Sequence, residues 1–184
     1  SLDLSKVKTG DVVSLVGNFD ALTIITLIKL IEKKAIVVPL TEETSSQHEY
    51  FFKKSLSNIL IKNNKIQRFK RKSNNLLNVL RKRGNPGLIL FSTGVTGEPK
   101  AILHDFSYFL KRYNTPRPSF KTLSFLLFDH IGGINTLFHT LFNAGTIIAP
   151  KNRDIEYILD ICRKHKIEVL PTTPTFLRML AIGN

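Results

Sequence analysis

"FSTGVTGEPKAILH", running from Phe91 to His104, sets hydroxyls, two glycines and a lysine between two apolar runs. Ser92, Thr93 and Thr96 supply hydroxyl donors. Gly94 and Gly97 let the backbone aim successive amide N–H groups at one anion, and Lys100 adds a full positive charge. Such a loop is equipped to hold a polyphosphate. It is not a Walker loop, which needs Gly-x-x-x-x-Gly-Lys-Ser/Thr running into a helix; here the glycines lie too close together and Pro99 blocks the helix. The Rossmann Gly-x-Gly-x-x-Gly pattern is absent as well. Composition alone leaves a plain Ser/Thr/Gly surface turn open as the other reading.

Outward from the loop, strand-length apolar runs alternate with helix-length periodic ones. Upstream, "VVSLV" (Val12 to Val16) reads as a strand, Phe19 to Lys33 as a helix and "AIVVPL" (Ala35 to Leu40) as a second strand. A helix over Tyr50 to Leu56 and a short strand "NILI" come next. "KNNKIQRFKRKSNN" has no period and reads as a polar surface connection, and a helix over Leu76 to Arg83 stops at the turn "GNPG". "LILFS" leads into the loop and "AILH" leaves it. Downstream come a helix from Phe106 to Tyr113, the break "NTPRP" and a strand "LSFLLF". Ile134, Leu137, Phe138, Leu141 and Phe142 then recur at amphipathic helical spacing. Strand "TIIAP", a helix over Asp154 to Lys166, strand "EVLP" and a helix capped by Thr173 with Pro174 in its first turn complete the chain. The alternation predicts an α/β fold with a mainly parallel sheet and helices on both faces. In such sheets ligands gather at the carboxyl ends of strands, where the quoted loop lies.

The 184 residues, 42% of them hydrophobic, suit a globular domain or part of a larger one and exclude a disordered chain. Against 14 Asp and Glu stand 27 Lys and Arg, a net charge of +13, so the partners to consider are anions. Cys162, the single cysteine, excludes an internal disulfide and makes a reducing, cytoplasmic setting the default; its spacing with Ile155, Ile158 and Leu159 reads as core. "FDALTIITLIKLI" is interrupted by Asp20 and Lys29 and reads as a buried helix rather than a membrane span. His48, His104, His139 and His165 have no ligand spacing with carboxylates or Cys162, so no protein-built metal site is expected.

"STGVTGEPKA" resembles the signature loop of the adenylate-forming superfamily, the AMP-forming ligases that include acyl-CoA synthetases, aryl-acid ligases, luciferases and nonribosomal-peptide adenylation domains. Ser92, Thr93, Gly94, Thr96, Gly97, Pro99 and Lys100 keep the family pattern or its chemistry, while Val95 lacks a usual hydroxyl and Ala101 replaces a usual glycine. "TGDVVSLVGNFDALTIITLIKLIEKKAIVVPL" (Thr9 to Leu40) is similar to the family's early block. "FDHIGGINTLFHTLFNAGTIIAP" (Phe128 to Pro150) is similar to its later His-x-x-Gly block, and "VLPTTPTFLRML" resembles the family's next strand, Pro-Thr turn and helix. These stretches cover nearly the whole chain in the family's order.

The resemblance implies binding of ATP with Mg2+, attack by a small carboxylic acid, release of pyrophosphate, and transfer of the acyl group to coenzyme A or to the phosphopantetheine of an acyl-carrier protein. Ser92, Thr93, Gly94, Val95, Thr96, Gly97 and Lys100 would contact the nucleotide, with Thr96 and Lys100 acting on the leaving pyrophosphate. Asp129, His130, Gly132 and Gly133 would meet the acid; His130 takes the family's His position, which favours an acyl or aryl acid over an amino acid. The family's adenine block, ribose-binding Asp, hinge and small carboxy-terminal domain with its catalytic Lys are not among these residues. Residues 1–184 are therefore expected to be part of an amino-terminal AMP-binding domain, inactive by itself. The rival from another class is a noncatalytic basic module that binds nucleotide or nucleic acid, with Lys62, Lys65, Arg68, Lys70, Arg71 and Lys72 on phosphates. Phe69 alone interleaves them as a stacking group, so the stretch is read as a solvated connector instead.

Overall fold

A computed structural model describes residues 2–92 and 97–182. Two compact units divide the chain, Ser1–Lys111 and Arg112–Asn184.

The first unit is built on a six-stranded sheet. Its strands are β1 (Val12–Val16), β2 (Ile36–Leu40), β3 (Ile59–Lys62), β4 (Lys65–Arg68), β5 (Gly87–Ser92) and β6 (Lys100–Asp105), in the spatial order β4-β3-β1-β2-β5-β6. The four central strands are parallel, and β4 and β6 are antiparallel edges. The β1 to β2 connection carries α1 (Ala21–Glu32) and the β2 to β3 connection carries α2 (His48–Lys54). These crossovers run in opposite directions along the sheet, so the right-handed rule puts their helices on opposite faces. On the α2 face, Val12, Val16, Ile36, Val38, Leu40 and Ile89 close over Phe51 together with Leu77 and Leu80 of α3 (Asn75–Arg83). Each such side chain, taken from water, contributes about 1.5 to 3 kcal/mol. Ser14 lies on that face too, and its hydroxyl is satisfied at 2.8 Å by Ser57, which bonds Ser55 at the same distance. Pro39 is tolerated in a central strand for a related reason. The N–H of Ile36 donates to Asp11 on the β1 side, so the Pro39 nitrogen faces β5, where the ladder has already ended at the Val37 and Leu88 pair. The helix α4 (Phe106–Lys111) follows β6 and packs on β5 and β6.

In the second unit β7 (Lys121–Leu123) pairs in parallel with β8 (Thr146–Ile148), and Thr122 bridges to Val169. Between the strands runs α5 (Ile131–Phe142), and α6 (Ile155–His165) and α7 (Pro174–Ile182) come after them. Leu123, Phe125, Ile158 and Phe176 form its core cluster, against which Cys162 packs. The Thr173 hydroxyl accepts from the Phe176 N–H at 3.2 Å, the expected cap of α7.

Three expectations are corrected. "KNNKIQRFKRKSNN" is not merely a connection, since Lys65–Arg68 forms β4, and Asn63 and Asn64, with φ of 50° and 58°, make the hairpin turn. The strand expected over "LSFLLF" ends at Leu123, and "EVLP" contributes only the bridge at Val169.

Candidate functional site

In the first unit the loop is the connection of an antiparallel hairpin. Ser92 ends β5 and pairs with Lys100, which begins β6, and the Lys100 N–H donates to the Ser92 hydroxyl at 3.3 Å. This accounts for the failure of the Walker pattern, because a strand and not a helix leaves the loop. Thr93, Gly94, Val95 and Thr96 lie outside the described residues. Lys100 is exposed, and among the described residues a Cβ added at Gly97 would meet nothing within 4 Å. Among the described residues, no atom fills the space over the Gly97 backbone.

The outgoing shoulder of the loop is tied to α2 by a group that the sequence reading did not find. The Tyr50 hydroxyl donates to the Pro99 carbonyl at 2.9 Å and lies 3.1 Å from a Glu98 carboxylate oxygen. Lys54 stands 3.7 Å from the same carboxylate and 5.2 Å from the Tyr50 ring centre. Burial, and then the Glu98 carboxylate, raise the Tyr50 phenol above its ordinary value, so it remains a donor at neutral pH. Phe51 on the same helix stacks on Phe91 at 4.1 Å, fixing the last turn of α2 against the end of β5. No local sequence signal could pair Tyr50 with Pro99, because the contact arises only when α2 folds over the hairpin.

In the second unit the sequence-predicted acid-binding residues cluster at the start of α5. His130 is its N-cap residue, with extended backbone and no side-chain capping bond. The His130 Nε2 lies 3.8 Å from Asp129 Oδ1; the His130 side chain is 41% exposed and that of Asp129 only 6%. Gly133 is spoken for by the fold, since a Cβ there would sit 1.9 Å from the Leu127 carbonyl oxygen. At Gly132 a Cβ would meet only the end of the Leu126 side chain, at 2.7 Å. Burial pushes the Cys162 thiol up, which disfavours the thiolate a nucleophile needs. Among the described residues no three His, Cys, Asp or Glu side chains converge as metal ligands, and no helix is long and apolar enough to cross a membrane.

Solved structures share this fold. The luciferase-like enzyme of the nonluminescent Zophobas morio mealworm matches with a TM-score of 0.70 at 21% identity, over 95% of this chain and 50% of that one. The N-terminal domain of FACL13 from Mycobacterium tuberculosis, with inhibitor bound, matches at 0.72 and 14% identity, over 95% and 52% of the two chains. o-Succinylbenzoate CoA synthetase of Bacillus subtilis, in complex with ATP and magnesium ion, matches at 0.70 and 15% identity, over 97% and 42%. The chain thus spans about half the length of the solved structures it resembles. No curated protein matches it significantly by sequence. A family model described as AMP-binding enzyme matches residues 4–182, and the chain belongs to that family of AMP-binding enzymes.

Proposed function

We propose that this chain is the phosphate-gripping part of an AMP-forming carboxylic-acid ligase, which makes an acyl-adenylate and passes the acyl group to a thiol. One observation carries the reading: in an AMP-binding family member, the hydroxyl, glycine and lysine loop from Ser92 to Lys100 leaves the carboxyl end of a parallel strand. The Bacillus subtilis synthetase with ATP and magnesium ion supports the choice of nucleotide and ion.

In this reading a carboxylate oxygen of the acid bonds to the α-phosphorus of ATP. The bond from that phosphorus to the bridging oxygen breaks, and pyrophosphate leaves with the negative charge. No side chain forms a covalent bond. The chain's task is to hold two mutually repelling anions in line and to stabilise the charge that departs. Ser92, Thr93, Thr96 and the amides from Gly94 through Val95 to Gly97 grip the β- and γ-phosphates, and Lys100 adds positive charge to the leaving group. With no cluster of protein ligands among the described residues, Mg2+ would be held by phosphate oxygens and water, its usual mode with nucleotides.

In this reading His130 and Gly132 meet the acid, while buried Asp129 and tightly packed Gly133 shape the entry to α5 behind them. The exposure of His130 and the burial of Asp129 favour an acyl or aryl acid, because an amino acid's ammonium group would need the carboxylate. Coenzyme A, or the phosphopantetheine of an acyl-carrier protein, takes the acyl group. Residues 1–184 form part of an amino-terminal domain, a carboxy-terminal domain supplies the catalytic Lys, and the setting is cytoplasmic.

The test is ATP–pyrophosphate exchange over a panel of carboxylic acids, using the intact protein purified from its own cell. Exchange should require one class of acid, and Lys100→Ala should lower it by about tenfold to a hundredfold, the range for a hydrogen bond to a charged group. Exchange indifferent to every acid, or to Lys100→Ala, overturns the proposal. Residues 1–184 alone should give none.

A further inference from the structure

A second pocket, distinct in residues from the loop, lies wholly within the second unit. It has a volume of about 460 Å³ and is lined by the segment after α4 and by Asn135, His139 and Asn143 of α5 and its end. Arg112, Arg117, His139, Asn135 and Thr115 are among its lining residues, which include no carboxylate. The sequence is equally one-sided there: from Phe106 to Pro150 the only carboxylate is Asp129, against Lys111, Arg112, Arg117, Lys121 and Lys151 just beyond.

The backbone of the Arg117 segment, the turn that bears His139 and the Asn135 amide are tied into the fold. Arg117 stands between Pro116 and Pro118, whose rings restrict the backbone on either side of it. Its N–H donates to Asn143 Oδ1 at 2.7 Å, while the Asn143 amide donates to the His139 carbonyl at 2.7 Å. One asparagine at the end of α5 therefore staples the Arg117 segment to the turn that bears His139. Tyr113, 6% exposed, donates to Asn135 Oδ1 at 2.8 Å, which fixes the amide so that its N–H donors remain for a ligand. The lining side chains offer several N–H donors and no carboxylate, the complement of an oxyanion with several acceptor oxygens. Guanidinium pairs suit phosphate in particular, because each presents parallel N–H donors to two oxygens. The volume exceeds what one phosphate fills, and Tyr113, Pro118 and Phe120 supply an apolar side for an organic group.

We propose that this pocket binds a small organic phosphate, gripped by Arg112, Arg117, Asn135 and His139, at a site separate from the Ser92 to Lys100 loop. The proposal does not depend on the ligase reading.

The experiment tracks the His139 ring resonances of the chain by NMR, assigned with His139→Gln, during titration with phenyl phosphate, inorganic phosphate and chloride at matched ionic strength. Phenyl phosphate should give a saturable shift at lower concentration than inorganic phosphate, and chloride none. The double variant Arg112→Gln/Arg117→Gln should weaken the response by about tenfold or more. If that variant does not fold, Arg117→Lys, which keeps the charge but loses the forked geometry, should weaken it severalfold. Lys100→Ala should leave the His139 response unchanged while lowering nucleotide binding, so failure here and failure of the ligase reading are told apart. A response no larger than that of chloride, or one that survives removal of both guanidinium groups, overturns the proposal.

Discussion

Asp11 is a buried carboxylate whose partners decide its worth. Its side chain is 2% exposed, and it accepts from the Lys8 N–H at 2.9 Å, from the Asn58 amide at 3.0 Å and from Arg68 at 2.9 Å. Burial alone would raise its pKa, but the Lys8 N–H, the Asn58 amide and the Arg68 guanidinium outweigh it, and the carboxyl titrates below its ordinary value of 3.8. A depressed folded pKa stabilises the fold above the unfolded value, and that contribution disappears as pH falls through the folded value. Asp11→Asn should therefore cost about 2 to 3 kcal/mol at neutral pH, toward the low end for a broken buried pair because Arg68 is 41% exposed. It should also flatten the loss of stability below about pH 4. Urea midpoints across a pH series measure both. A parallel acid limb in the variant would mean that another carboxylate controls it. In the sequence, "TGDVV" marks Asp11 only as a turn residue; nothing there pairs it with Asn58 or Arg68.

At the scale of elements, the entry to α5 separates two neighbouring glycines with different duties. An alanine Cβ at position 133 would lie 1.9 Å from a backbone carbonyl oxygen, which cannot be relieved by a rotamer change, whereas at position 132 it meets the mobile end of Leu126 at 2.7 Å. Gly133→Ala should cost about 3 kcal/mol. Gly132→Ala should be nearly neutral, since about 1 kcal/mol of helix propensity offsets the crowding. Thermal unfolding of the two variants decides it, and the reverse order would place the tight approach at Gly132. The same entry limits what the sequence could reveal. The five apolar residues of "LSFLLF" read with Ser124 as one strand, yet the Phe125 N–H turns back to the Leu123 carbonyl, and the Leu127 carbonyl is drawn against Gly133. Burial by a curling segment leaves the same apolar run as burial in a strand, so periodicity cannot separate them. β4 is hard to read for the opposite reason: it is an edge strand whose Lys65 and Gln67 face water, leaving Ile66 as its only apolar mark. Val12–Val16, Asn75–Arg83 and the α7 cap were legible because burial on both faces, helical spacing and Thr-Pro punctuation each leave their own pattern.

For the whole molecule, the charge of +13 is concentrated: from Tyr50 to Gly97 the chain has eleven Lys and Arg and no Asp or Glu. The sequence shows the loop's hydroxyls and Lys100 beside this block, whereas the Tyr50 tie to Pro99 depended on the fold of the entire unit. Concentrated charge invites the nucleic-acid reading, and the structure reduces what it could deliver. Of the six side chains assigned to phosphates, Lys62 pairs with Glu42, and Arg68 and Arg71 turn inward to Asp11. Phe69 packs edge-on against Phe52 with ring centres 5.0 Å apart. Lys65, Lys70 and Lys72 have no carboxylate partner among the described residues. Counterion release on a single strand has a slope of about −0.7 per phosphate neutralised, so three lysines give about −2 in log affinity against log salt, and all six would give about −4. Single-stranded oligonucleotide binding measured across a salt series should be weak, show the shallower slope, and vanish in Lys65→Gln/Lys70→Gln/Lys72→Gln without loss of stability. A slope near −4 would require Arg68 and Arg71 to leave Asp11 on binding, and the basic module would then displace the solvated connector as the reading of this segment.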